Sequence, residues 1–266
     1  MCNSDARVLF LGKKDDYHCQ RALAFVLANF SDVQYFLGEW GDPRPAVFDE
    51  WEGDYVVSYL SRWVVTPEVL SRVSQAAINF HPGSPSYPGI GCVNFALYEG
   101  VREYGVTCHH MAGTVDTGQI IAVSRLPVFP NDNVASLLGR TYDIQLALFY
   151  DIVGLILQGG SLPESEEEWV RPPFTRRDFN ELCRVLPDME TDEIRRRVRA
   201  TDFGAHGPSV VLAGYRFALA GQDPDPPSPS GSSHTRPGMS NGLTPEAWVS
   251  PHGGAEGALL MSGGGG

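Results

Sequence analysis

The 266-residue sequence has no uninterrupted apolar run of roughly 18 residues, the length a bilayer demands, so no membrane-spanning helix is expected. Its opening, MCNSDARVLFLG, reads as a strand entered from polar residues rather than as a leader peptide; no secretory signal is expected, and a cytoplasmic location is. Basic residues are scarce: 20 Lys and Arg stand against 32 Asp and Glu, for a net charge of -12. Binding to phosphate backbones works by Lys and Arg releasing counterions, so this balance argues against nucleic acid as the bulk partner and favours a small molecule. Cysteine is sparse and odd in number: Cys2, Cys19, Cys92, Cys108 and Cys183 include no Cys-x-x-Cys. That fits neither a disulfide framework nor a structural zinc site, so all five are expected to be reduced and no metal is expected. What is present, 42% hydrophobic and 20% charged residues, suffices for one large core or two modest ones.

The composition breaks at Gly221. Gly, Pro and Ser make up more than half of residues 221–266, leaving too few apolar groups to offset the entropy of ordering, and a disordered tail is expected there. Before the break, Val8 to Leu11, Val33 to Leu37, Tyr55 to Leu60, Ala76 to Phe80, Val106 to Met111 and Ile120 to Val123 read as strands. Tyr17 to Phe30 has helical spacing, and Thr66-Pro67-Glu68 combines a cap, a first-turn proline and a first-turn acid. Asn133 opens a long helix reaching about Gln158, with Gly159-Gly160 as its stop. This alternation predicts an α/β fold, a mainly parallel sheet with helices on both faces, over residues 1–162. Residues 163–220 read as a small C-terminal α+β subdomain, with Thr175 and Thr191 as helix caps and two short strands about Gly214. Its Arg195, Arg196, Arg197 and Arg199 form a local basic patch, expected to be a solvated or interface face.

The chemistry is concentrated between Ile78 and Ile121. Period two along a strand ending in Asn79-Phe80-His81 puts Asn79 and His81 on one face, at the carboxyl edge where open α/β sheets bind ligands. Pro82 and Gly83 halt that strand. A second strand leads through Ala112-Gly113 into Thr114-Val115-Asp116-Thr117-Gly118, a tight turn that presents one carboxylate. An amide and an imidazole that donate to an oxyanion, with a carboxylate orienting the imidazole, suit transfer of an acyl or formyl group to an amine without a covalent nucleophile. The spacing alone is equally that of two turn residues and a strand-end histidine. His109 and His110 point to opposite faces of their strand, one to the core or the site's surroundings and one to the surface.

Asn79-Phe80-His81-Pro82 and Val115-Asp116-Thr117-Gly118 resemble the Asn-x-His-Pro and Val-Asp-x-Gly motifs of the formyltransferases that use 10-formyltetrahydrofolate. The likeness extends in strand order over residues 1 to about 160 and implies a Rossmann-like formyltransferase core. It implies that a substrate amine attacks the formyl carbon directly, that Asn79 and His81 hold the tetrahedral intermediate, and that Asp116 aids proton movement, with tetrahydrofolate leaving. It also implies a pterin pocket between Ser58-Tyr59-Leu60-Ser61-Arg62 and Ala112-Gly113-Thr114-Val115. Two departures bear on the acceptor. The loop Gly83-Ser84-Pro85-Ser86-Tyr87-Pro88-Gly89 differs from the family's Ser-Leu-Leu-Pro. The first strand ends Gly12-Lys13-Lys14-Asp15, without the glycine-rich phosphate turn expected for glycinamide ribonucleotide.

Methionyl-tRNA formyltransferases carry a substantial tRNA-gripping C-terminal domain, which the small 163–220 unit does not match. The layout resembles more closely the sugar N-formyltransferases, implying a dTDP- or UDP-linked amino-dideoxy sugar as acceptor. Tyr87, Gly89 and Asn94 are then expected to contact the sugar, and Lys13 or Lys14 the diphosphate. Glycinamide ribonucleotide formyltransferase, formyltetrahydrofolate hydrolase and a non-catalytic folate- or nucleotide-binding module are the alternatives. The strands near Val210 are expected to be exposed and able to pair two chains into a homodimer.

Overall fold

The computed structural model describes residues 4–204 and 207–220; the expected tail lies outside the described residues. Six strands, β1 (Arg7–Lys13), β2 (Asp32–Gly38), β3 (Gly53–Tyr59), β4 (Val73–His81), β5 (Glu103–His110) and β6 (Ile120–Pro127), form one sheet of order β2-β1-β3-β4-β5-β6. The first four are parallel; β5 runs antiparallel to β4, and β6, antiparallel to β5, returns to the direction of the first four. The link between β4 and β5 holds the short helix α3 (Cys92–Glu99), after which the chain returns antiparallel beside β4. That antiparallel return sets Asn79 opposite His109 and His81 opposite Thr107.

Period-two alternation divides the sheet's side chains between two cores. Val8 and Phe10 of β1, Val57 and Tyr59 of β3 and Ile78 and Phe80 of β4 pack under α1 (Tyr17–Asn29) and α4 (Val134–Leu157). Leu9, Leu11 and Val56 face the other way, onto Phe48 of a 3-10 helix (Ala46–Glu50) and Val69 of α2 (Pro67–Leu70). At the centre of the first core, the fully buried Phe149 of α4 meets the rings of Phe10, Tyr59 and Phe80. By the scale of large-to-small core changes, roughly 3–5 kcal/mol rests on this ring, which packs directly behind the end of β4. The entry of α4 is fixed as its sequence predicts: Asn133 and Ser136 cap each other reciprocally.

Beyond α4, residues 164–174 run as an extended segment into α5 (Arg176–Leu182), β7 (Arg184–Val185), α6 (Thr191–Thr201) and a hairpin of β8 (Ser209–Leu212) and β9 (Tyr215–Ala218). Thr175 caps α5 in a capping box as expected, but α6 is preceded by Glu190 as its N-cap, so Thr191 is the first helical residue rather than the cap. The hairpin turns through Ala213 and Gly214, both at positive φ, and β7 completes a three-stranded sheet. The α6 arginines are largely structural. Arg197 pairs with Glu193 at 2.6 Å and donates to the carbonyls of Glu181 and Arg184, while Arg199 donates to those of Asp132 and Phe129. Arg196 lies over the Tyr98 ring, and Arg195 stays solvated, its side chain 76% exposed.

Candidate active site

Because Ile78 and Phe80 face α1 and α4, Asn79 and His81 emerge together on the opposite face of β4. Pro82, which has no N–H to give to a ladder, ends the strand, and Gly83 lies against the imidazole: a β-carbon there would sit 2.4 Å from His81 Nε2. His81 is thereby fixed with Nε2 2.8 Å from the Tyr87 carbonyl and Nδ1 3.2 Å from Asp116 Oδ2. Asp116 arrives from the turn between β5 and β6, closed by Thr117 donating to the Thr114 carbonyl, with its own backbone in the left-handed region at φ 49. Two residues on, Gly118 passes so close to β5 that a β-carbon would lie 1.8 Å from the His110 carbonyl oxygen; only glycine fits that approach.

The carboxylate is the hub. Its Oδ1 lies 3.3 Å from His109 Nε2, and its Oδ2 also accepts the Gly89 N–H at 2.8 Å. Burial alone would push its pKa up; the charge of His81, the hydrogen bond and charge of His109 and the Gly89 amide more than offset that, holding it at about 2. The buried group is therefore an anion at neutral pH. A carbonyl can only accept, so the Tyr87 oxygen places a proton on His81 Nε2, and the His110 oxygen, 2.8 Å from His109 Nδ1, places one there. His81 Nδ1 faces the Asp116 carboxylate. Asn79 Nδ2 lies 3.1 Å from His109 Nε2, the cross-strand contact that the β4–β5 register sets up.

Asn79, His81, His109 and Asp116 all open on one cavity of about 650 Å³ at the carboxyl ends of β1, β3 and β4. This is the switch point of the sheet, where β2 and β3 flank β1 and the loops diverge. Of the residues expected around a pterin, Ser58, Leu60, Ser61, Thr114 and Val115 line it. Leu60 does so from a left-handed backbone, φ 56. Tyr59 is fully buried beneath, against Phe80 and Phe149, and Gly113 lies outside the wall. Of the expected acceptor contacts, Lys13, Gly89 and Asn94 line the cavity, though Lys13 Nζ is on Asp16 at 2.9 Å and Asn94 Nδ2 on the Ala200 carbonyl at 2.6 Å. Lys14 and Tyr87 do not line it. Tyr87 is packed beneath α3 with its hydroxyl donated to Glu99, because the Pro85–Pro88 loop folds inward. The sequence reading missed the aromatic and cationic wall: Trp40, Trp63 and Tyr142, with Phe174, Arg176, Phe179 and Phe203 from the C-terminal extension. Only Arg176, beside the Thr175 cap, had a local signal.

Residues 46–153 match the sequence model of the formyl transferase family. Over that segment the chain is similar to a formyl transferase domain. The matched segment carries Asn79, His81, His109 and Asp116, whereas Lys13 and the wall from Pro173 onward lie outside it. The chain is 27% identical over 97 residues to the phosphoribosylglycinamide formyltransferase of Haemophilus influenzae, 36% of this chain and 46% of that one. It spans about half the length of the curated relatives it matches, a methionyl-tRNA formyltransferase among them. In structure, it resembles a sugar N-formyltransferase from a Shewanella species, with TM-score 0.65 and 19% identity, over 80% of this chain and 96% of that one. It also resembles the Helicobacter canadensis N-formyltransferase in complex with folinic acid and dTDP-3-aminofucose, with TM-score 0.59 and 18% identity, over 73% and 80% of the two chains. At these identities the shared property is the formyltransferase fold, the mixed α/β sheet with its helices.

Proposed function

We propose that this protein is an N-formyltransferase that moves a formyl group from 10-formyltetrahydrofolate to the amine of a dTDP- or UDP-linked amino-dideoxy sugar. The observation that carries the reading is the convergence of Asn79, His81 and Asp116 on one cavity whose remaining charged wall is cationic: Lys13, Arg62 and Arg176. In a chain of net charge -12, that is a local site for anionic ligands, as a folate glutamate tail and a nucleoside diphosphate both are. The Helicobacter protein's bound folate and dTDP-sugar support the same pairing.

In this reading, the Ser58–Arg62 and Ala112–Val115 segments hold the pterin, chiefly through backbone groups, and the acceptor enters beside Gly89 and Asn94. The amine lone pair forms the C–N bond, and the formyl oxygen takes up negative charge, stabilised by the Asn79 amide and by the Nε2–H of the His81 imidazolium, which exchanges the Tyr87 carbonyl for it while Nδ1–H stays on Asp116. Collapse breaks the bond from carbon to the folate N10, and the proton lost by the new ammonium is delivered to N10 by way of His81, whose imidazolium Asp116 stabilises. No metal is part of this reading.

The C-terminal hairpin adds a partner. Tyr215 and Phe217 are 73% and 52% exposed on the outer strand β9, and the reading includes a homodimer paired there, checked by light scattering. The buried thiols of Cys19, Cys92 and Cys108 suit the reducing, cytoplasmic setting included with it. No helix among the described residues is long and apolar enough to cross a membrane.

The test is tetrahydrofolate release from 10-formyltetrahydrofolate against dTDP- and UDP-linked 3-amino and 4-amino sugars, glycinamide ribonucleotide and water. Release with one amino sugar is expected. Release only with glycinamide ribonucleotide replaces the acceptor, equal release with water makes the protein a hydrolase, and ligand binding without release makes it a binding module.

A further inference from the structure

The His81–Asp116–His109 cluster is nearly dry, its side chains 3–5% exposed, yet the matched formyl transferase segment does not close it alone. The strap 165–174 does. Its backbone laces the two loops that carry the cluster. Ser165 N–H donates to the Ile120 carbonyl, just past the Asp116 turn, and Val170 N–H donates to Pro85. Phe174 then donates to Pro88 and accepts from Ile90, forming a bridge beside Gly89, whose own N–H holds Asp116. Gly89 is what admits the strap: a β-carbon there would lie 2.3 Å from the Phe174 carbonyl oxygen.

Midway along this strap stands Trp169. Its indole N–H donates to the Gly118 carbonyl at 2.8 Å, two residues from Asp116. Its ring meets both imidazoles edge-to-face, with centroids 5.8 Å from His81 and 5.1 Å from His109 and interplanar angles of 73° and 87°. Trp169 does not line the cavity, so it touches the cluster from the side away from the ligands.

We propose that Trp169 is a positioning residue for formyl transfer: it fixes the planes of His81 and His109, pins the Asp116 turn and keeps water off the rear of the cluster. The inference rests on the proposed reaction for its kinetic arm. It has a physical basis independent of it, because a charge pair is strong only where water is excluded, and ring contacts of this kind set imidazole orientation.

The experiment compares Trp169→Leu, which removes the ring and the indole N–H, with Trp169→Phe, which keeps one aromatic ring and loses the second ring together with the bond to Gly118. With the acceptor that supports turnover, Trp169→Leu is expected to lower kcat about tenfold to a hundredfold while leaving both KM values near wild type. Trp169→Phe is expected to recover most of that loss. In parallel, nitrogen-15 NMR of the histidines is expected to show slowly exchanging ring N–H protons of His81 and His109 in the wild type and fast exchange in Trp169→Leu. Wild-type kcat in Trp169→Leu, a defect confined to KM, or unchanged N–H exchange would overturn the proposal. If Trp169→Leu does not fold, Trp169→Phe must still show faster N–H exchange than wild type, or the proposal fails. If the wild type turns over no acceptor, the proposed function fails and the NMR comparison decides the role of Trp169 by itself.

Discussion

Replacing Asp116 by asparagine keeps the size of the side chain and removes its charge, so stability and turnover both report on the carboxylate. In the folded chain its pKa falls from an ordinary 3.8 to about 2, in spite of burial, because two imidazoles and the Gly89 amide surround it. A folded pKa below the unfolded one means that the anion stabilises the native state at neutral pH; integrated, the difference is worth roughly 2 kcal/mol. That contribution is complete above 3.8 and is lost as the pH falls from there through about 2. Urea unfolding of Asp116→Asn at pH 7 should therefore show a deficit of roughly 2 kcal/mol that falls to roughly half by pH 3, as the wild type loses what the variant never had. In the assay for tetrahydrofolate release, the same variant should lose about a hundredfold or more in turnover, since an amide cannot stabilise the imidazolium of His81. A deficit that is constant down to pH 3, or Asp116→Asn as stable as wild type at pH 7, would refute the electrostatic account. Retained turnover would refute the catalytic one.

Asn79→Ala and His81→Ala should each fold and bind folinic acid close to wild type by calorimetry while turnover drops about a hundredfold. Gly89→Ala should destabilise by about 1–3 kcal/mol in urea, because φ +87 and the Phe174 backbone both reject a β-carbon; unchanged stability would mean that the strap is not seated there. Arg197→Met, which strips bonds from the carbonyls of Glu181 and Arg184, should cost about 1–3 kcal/mol, whereas Arg195→Ala should stay within about 0.5 kcal/mol; thermal melts of the two variants separate a structural arginine from a solvated one. Removing residues 221–266 should leave turnover unchanged in the release assay, and a large loss would show that the segment takes part.

The strands and the long helix were readable from the sequence because their signals are local: period two in Val8 to Leu11, an Asn133 cap followed by helical spacing, a paired glycine stop. The meeting of Asn79 and His81 was equally local, being one strand's parity. The direction of β5 was not local. It depends on how the link 82–102 packs, and α3 within it, hydrophobic on most sides, has no clear stripe to announce it. His109 and His110 were therefore legible as one inward and one outward residue, but which of them turns to the site, and the seat of His109 between Asn79 and Asp116, required the antiparallel register. Tyr87 was misplaced for a related reason. In a loop of prolines and glycines nothing local says which way an aromatic ring turns, and the apolar space under α3 claimed it.

The basic cluster on α6 shows the opposite error, a pattern too visible in sequence. Four arginines in one helix suggest a surface patch, yet two of them spend their donors on backbone carbonyls at the ends of neighbouring segments. What those bonds secure bears on the site. Arg199 ties α6 to the Phe129–Asp132 turn that leads into α4, and Asn94 ties α3 to the Ala200 carbonyl of α6. Thr201 and Phe203, at the end of α6, then stand in the cavity wall with Phe174, Arg176 and Phe179. In the proposed reaction the acceptor thus meets Gly89 and Asn94 of the matched segment together with wall residues from beyond it, which the α6 arginines anchor. In that proposed reaction, acceptor choice can change through the extension while Asn79, His81 and Asp116 stay fixed, because the extension's wall residues and those three groups sit on different elements, joined by the strap at Gly89.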